Sequence, residues 1–166
     1  ADYLKARTGV GQWVGTIGAG ICGTNVEYHM VPGLSVLIGA FPHEAVRLMP
    51  TIDEDVNGLR ADLGSWYQAQ QTVRAVVHGD PRNAAVADHL IRDLAAELPE
   101  GFLVGGITST LKRAYPQVAG SLTQGGLSGV LLSGEAPMVS GLTQGCTPIG
   151  PRRRITEADG SVLIGL

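Results

Sequence analysis

The sequence predicts an α+β fold: a mixed, largely antiparallel sheet packed by two or three helices. Three observations lead there. Short aliphatic runs of strand length recur along the chain, set off by glycine and proline. Two longer stretches carry apolar residues at helical spacing. Several of the strand-like runs follow one another directly through turns, as antiparallel neighbours do, whereas a wholly parallel sheet needs a helical crossover between every pair.

Taken in order, Asp2 to Thr8 reads as the end of a helix and Gln12 to Ile17 as a short strand. Gly18-Ala19-Gly20-Ile21-Cys22-Gly23 fits the dinucleotide pattern of spaced glycines, but that chemistry requires a helix next. The following residues, Thr24 to Gly33, alternate β-branched and polar side chains up to Pro-Gly, so strand and turn are expected instead. Leu34 to Phe41 is an apolar run of strand length, with Ala45 to Met49 as its expected partner across Phe41-Pro42-His43. Val56 to Gln70 reads as a helix with Leu59, Leu63 and Trp66 on one side. Val73 to Val77 reads as a buried strand that ends at His78-Gly79-Asp80-Pro81. The helix over Arg82 to Leu98 has the clearest stripe, Val86, Leu90, Ile91, Leu94 and Leu98, with Asp80 and Pro81 suited to its entry. Phe102 to Gly106, Leu127 to Ser133 and Val139 to Thr143 read as strands. After Ile155, a short strand, an Asp-Gly turn and another strand are expected.

Two stretches look alike. Trp13-Val14-Gly15-Thr16-Ile17 is similar to Leu103-Val104-Gly105-Gly106-Ile107, and each is followed about twenty residues on by a matching run, Gly33 to Gly39 and Gly126 to Leu132. An internal duplication with units near 1–50 and 82–145, within one domain over 1–166, would place these strands equivalently.

The chain has 166 residues, enough for one packed core. Apolar residues make up 44% and charged residues 16%, which excludes a disordered, self-repelling chain. A net charge of −3 and a single basic cluster, Arg152 to Arg154, give no footprint for nucleic acid. No apolar run reaches the roughly 18 residues of a membrane span. The two cysteines make no disulfide framework, and with no leader visible a cytoplasmic setting is expected.

Gly141-Leu142-Thr143-Gln144-Gly145-Cys146-Thr147-Pro148-Ile149-Gly150-Pro151 cannot form a helix, and it holds small polar groups in a rigid turn. Cys146 could serve as a nucleophile near the arginines, with His78, His43 or His29 as partner; the commoner role for such a residue is a small buried apolar group. The histidines, His29, His43, His78 and His89, are scattered singly, without metal-ligand spacing. Thr108 and Ser109 follow Gly105-Gly106, whose backbone would allow close approach of a ligand.

Gln144, Gly145, Cys146, Pro148, Gly150, Pro151 and Thr156 together resemble the hallmark turn of the FIST family of sensory domains, and the resemblance extends to Gly105 to Ser109 and Gly126 to Gly134. It implies the ligand-sensing part of a longer bacterial signal-transduction protein. The ligand would be an amino acid or a similar metabolite, and the output partner a kinase or cyclic-nucleotide enzyme. Some members bind haem, so an axial histidine is a minor alternative to a site with no cofactor. A cysteine- or serine-dependent enzyme using Cys146 or Ser109 is the alternative from another class. The expected ligand-binding residues are Thr16, Thr108, Ser109, Gln144, Cys146 and Arg152, ringing a cleft at one end of the sheet. There Arg152 could hold a carboxylate through paired hydrogen bonds.

Overall fold

The computed structural model describes residues 2–108, 116–143, 145–160 and 162–166. The fold is α+β. Strands β1 (Val14–Gly15), β2 (Gly20–Gly23) and β3 (Val26–His29) follow helix α1 (Asp2–Thr8). β2 and β3 form a two-residue hairpin, with no helix after the spaced glycines, as the alternating sequence there predicts. β4 (Val46–Ile52) leads through helix α2 (Leu59–Gln68) to β5 (Val73–Gly79). A π-helical turn, Val86–Leu90, then runs straight into α3 (Ile91–Glu97), followed by β6 (Leu103–Ile107). β7 (Gln117–Ala119) and β8 (Ser121–Thr123) form a tight hairpin, β9 (Leu127–Ser133) follows, and β10 (Glu157–Asp159) and β11 (Val162–Gly165) form a third hairpin around Asp159-Gly160.

The main sheet has the order β4-β9-β5-β6. β9 is antiparallel to both of its neighbours, and β5 runs parallel to β6. The helix between β5 and β6 explains that one parallel pair, since only a crossover can bring the chain back to start a strand in the same direction. Val73, Ala75 and Val77 of β5 and Leu127 and Leu131 of β9 face the helices. With Leu59, Trp66, Tyr67, Val86, Leu90 and Leu94 they form the main core. On the opposite face the small sheet β1-β7-β8 covers part of β9. There the buried Gln117 accepts a hydrogen bond from Ser128 Oγ at 2.7 Å and donates one to the Gly126 carbonyl at 3.3 Å.

Several elements differ from the expectation. Leu34 to Phe41 is exposed and forms no strand. Its expected partner pairs with β9 instead, which leaves β4 at a sheet edge, where Pro50 and a register shift are tolerated. Periodicity reports apolar character but not the identity of a partner. Val139 to Thr143 likewise carries no strand in its described residues. The helix expected over Val56 to Gln70 is shorter and broken at Gly64, whose φ of 53° and ψ of −138° no helix allows. The two similar stretches lie in different sheets, β1 beside β7 and β6 beside β5. Leu127 to Ser133 is a central strand while Leu34 to Phe41 is unpaired, so the duplicated units do not occupy equivalent positions.

Candidate functional site at the open edge and carboxyl end of β6

β5 and β6 are parallel, so their carboxyl ends emerge side by side, the place where open sheets present groups to ligands. The loops there are firmly held. The Asp80 carboxylate, nearly fully buried, accepts hydrogen bonds from the Arg82 backbone N–H at 3.0 Å, Arg82 Nε at 2.9 Å and the Gly125 N–H at 3.2 Å, and pairs with Arg82 Nη2. The Arg82 guanidinium is the main cause that holds the Asp80 carboxyl below its ordinary range. Asn83 Nδ2 donates to the carbonyls of Asp53 and Gly125, at 2.8 and 2.7 Å. The turn after β5 is thereby tied to the turn before β9.

On the face away from the helices, His78 lies between Ser128 of β9 and Gly106 of β6 in the strand register. Burial alone pushes the His78 pKa down, so the ring is neutral at neutral pH. Thr108 extends the ladder by donating its N–H to the Gly79 carbonyl at 2.9 Å. Ile107 faces the helices, where its side chain reaches the Gly79 position, and alternation turns Thr108 to the His78 side. The Thr108 side chain is only 5% exposed, and its Oγ1 has no hydrogen-bond partner among the described residues. A buried hydroxyl left without a partner costs stability.

Along the outer edge of β6 runs a groove of about 550 Å³. Val77, Leu103 and Leu127 form its floor, Ile91 of α3 one wall, and Ser140 to Leu142 the far rim. Among the described residues no ionisable side chain lines it. No strand of the described residues pairs with the outer edge of β6. Ala75 N–H donates to the Phe102 carbonyl and Thr108 N–H to the Gly79 carbonyl, so the even-numbered backbone groups of β6 serve β5. By strand alternation those of Leu103, Gly105 and Ile107 point outward. Gly105 has a φ of +149°, and a Cβ there would stand 1.9 Å from the Val77 carbonyl oxygen. Only glycine can bring the chain this close to β5 at that position.

The expected site residues are dispersed. Thr108 belongs to this end of the sheet. Gly15 opposes Val118, so Thr16 leaves β1 at the Gln117 end of β7 and is exposed. Cys146 and Arg152 stand in the exposed stretch 145–156, which lies outside the sheets until β10 begins. Cys146 is therefore not the small buried residue that the turn composition suggests. Ser109 and Gln144 fall outside the described residues. Among the described residues no group of three or more His, Cys, Asp or Glu side chains could hold a metal ion. The sequence reading missed Gln117 and Ser128, which carry no motif, and weighed His78 only as a partner for cysteine. The buried alternation of β5 was the available signal for His78.

Comparison with known families matches the FIST N domain model to residues 1–166. The chain therefore belongs to the FIST family, whose members are sensory domains of signal-transduction proteins. Comparisons with curated proteins and with solved structures gave no match. Among the described residues no helix is long and apolar enough to cross a membrane.

Proposed function

We propose that this chain is a non-enzymatic sensing domain of a bacterial, cytoplasmic signalling protein, and that it binds a small amino-acid-like metabolite in the groove beside β6. Its output would pass to a kinase or cyclic-nucleotide enzyme on another domain or chain. The observation that carries this reading is the groove itself. It has the volume and apolar walls that suit a small molecule, with backbone donors and acceptors along one side. Two exposed free cysteines fit a reducing compartment.

Thermal unfolding against a panel of apolar amino acids and their acylated and amidated derivatives tests it. A ligand at a hundred times its Kd should add about 2.7 kcal/mol. Leu142→Glu, at an exposed rim position, should remove that gain while leaving the ligand-free melting temperature nearly unchanged. A panel in which no compound raises the melting temperature, or in which Leu142→Glu makes no difference, rules the groove out as the sensing site.

A further inference from the structure

We infer that the groove holds its ligand as an added strand: an uncharged, amide-bearing, peptide-like compound whose main chain pairs with Gly105 and whose apolar side chain fills the groove. The inference rests on the reading of the groove as the sensing site and names the chemistry of what it takes.

Three observations carry it. The first is the free edge. The N–H and C=O groups of Leu103, Gly105 and Ile107 face outward, and no described residue outside the sheet forms a backbone hydrogen bond with them. An extended ligand that offers its own N–H and C=O at strand spacing satisfies both partners at once. The second is the shape of the edge. Gly105 and Gly106 are both exposed, and a Cβ on Gly106 would meet nothing within 4 Å, so the faces beside this edge are uncrowded. β6, Leu-Val-Gly-Gly-Ile, also lacks the lysine, proline or inward charge that normally blocks an edge against pairing. The third is charge. With no ionisable side chain among the described residues that line the groove, a carboxylate or ammonium group placed there would lose its hydration without a counter-charge from them. A neutral amide loses far less and regains its hydrogen bonds from the strand. A free zwitterionic amino acid therefore fits this groove worse than the same side chain carried between two amides.

The test uses the whole chain, labelled with nitrogen-15, and three probes: N-acetyl-leucyl-leucine amide, the same compound N-methylated at its central amide, and free leucine. The capped compound should shift the Gly105 and Ile107 amide resonances saturably. The methylated compound, which has lost a donor, and free leucine should each bind at least about tenfold more weakly, a loss of 1.4 kcal/mol or more. Leu142→Glu should weaken the capped compound by a similar factor. Equal binding of the methylated compound overturns the strand-pairing mode. Equal binding of leucine at the same amides overturns the ligand class and leaves the groove as the sensing site. If none of the panel compounds moves these amides, the inference and the reading beneath it both fall. A ligand-free protein that sediments as a dimer with Gly105 and Ile107 already protected from exchange also overturns the inference, because a second copy would then occupy the edge.

Discussion

Two neighbouring glycines show how little a residue type says without its surroundings. A Cβ on Gly105 would overlap the Val77 carbonyl at a φ that side chains rarely adopt, whereas a Cβ on Gly106 meets nothing within 4 Å. Gly105→Ala should cost at least about 3 kcal/mol, and Gly106→Ala should stay within about 1 kcal/mol of the parent, in urea unfolding followed by circular dichroism. Thr108 gives a prediction of the opposite sign. Thr108→Val keeps the shape and removes a buried hydroxyl with no described partner, so stability should rise, by about 1 kcal/mol. A loss of stability would show that the hydroxyl has a partner in the free protein.

At the scale of elements, β5 sets the response to pH. His78 has its pKa lowered by burial from the ordinary 6.5. Above pH 6.5 the ring is neutral in both folded and unfolded chains and contributes no pH dependence. As pH falls below 6.5 the unfolded chain takes up a proton that the folded chain refuses, so stability declines until the lowered folded pKa is passed. Asp80, at the end of the same strand, has a pKa lowered from 3.8 by Arg82. Its stabilising contribution is complete above that value and is lost as pH falls through the lower folded pKa. The unfolding free energy should therefore decline in two separate steps. His78→Gln should flatten the step just below pH 6.5 and leave the more acidic one, while Asp80→Asn should do the reverse. Urea titrations at half-unit intervals from pH 3 to 8 would separate them, and a single unchanged slope in both variants would refute the assignment. Asp80 also joins the turn after β5 to Gly125, so its loss should loosen the carboxyl end where the groove opens.

Across the whole molecule, the accessible surface is 11602 Å². A compact monomer of this length exposes roughly 7,800 Å². Large apolar side chains are exposed in two stretches outside the main sheet. Leu34, Leu37 and Ile38 are exposed in the first, Leu37 at 97%; Val139, Leu142 and Ile149 are exposed in the second. Exposed apolar surface of this extent binds hydrophobic dyes and partners. The native chain should therefore enhance the fluorescence of anilinonaphthalene sulfonate before any unfolding, and Leu34→Asp with Leu37→Asp should reduce the signal without lowering the melting temperature. An unchanged signal would mean that the first stretch is covered in solution.

What the sequence determined by itself is what rests on local chemistry. Helical spacing at Val86, Leu90 and Leu94 places the crossover helix, Asp159-Gly160 places the last hairpin, and the alternation after Gly18 excludes a dinucleotide site. The turn around Gln144 and Cys146 pointed to the family that the whole chain matches. Tertiary structure alone decided which strands meet. Leu34 to Phe41 and Leu127 to Ser133 read alike as apolar runs, yet one is exposed coil and the other the central strand, because a strand exists only through hydrogen bonds to a neighbour that its own residues do not name. The open edge of β6 was hidden for the same reason. Its outward amides and its apolar groove arise from the parallel pairing with β5 and the packing of α3, and neither is encoded within Leu103 to Ile107.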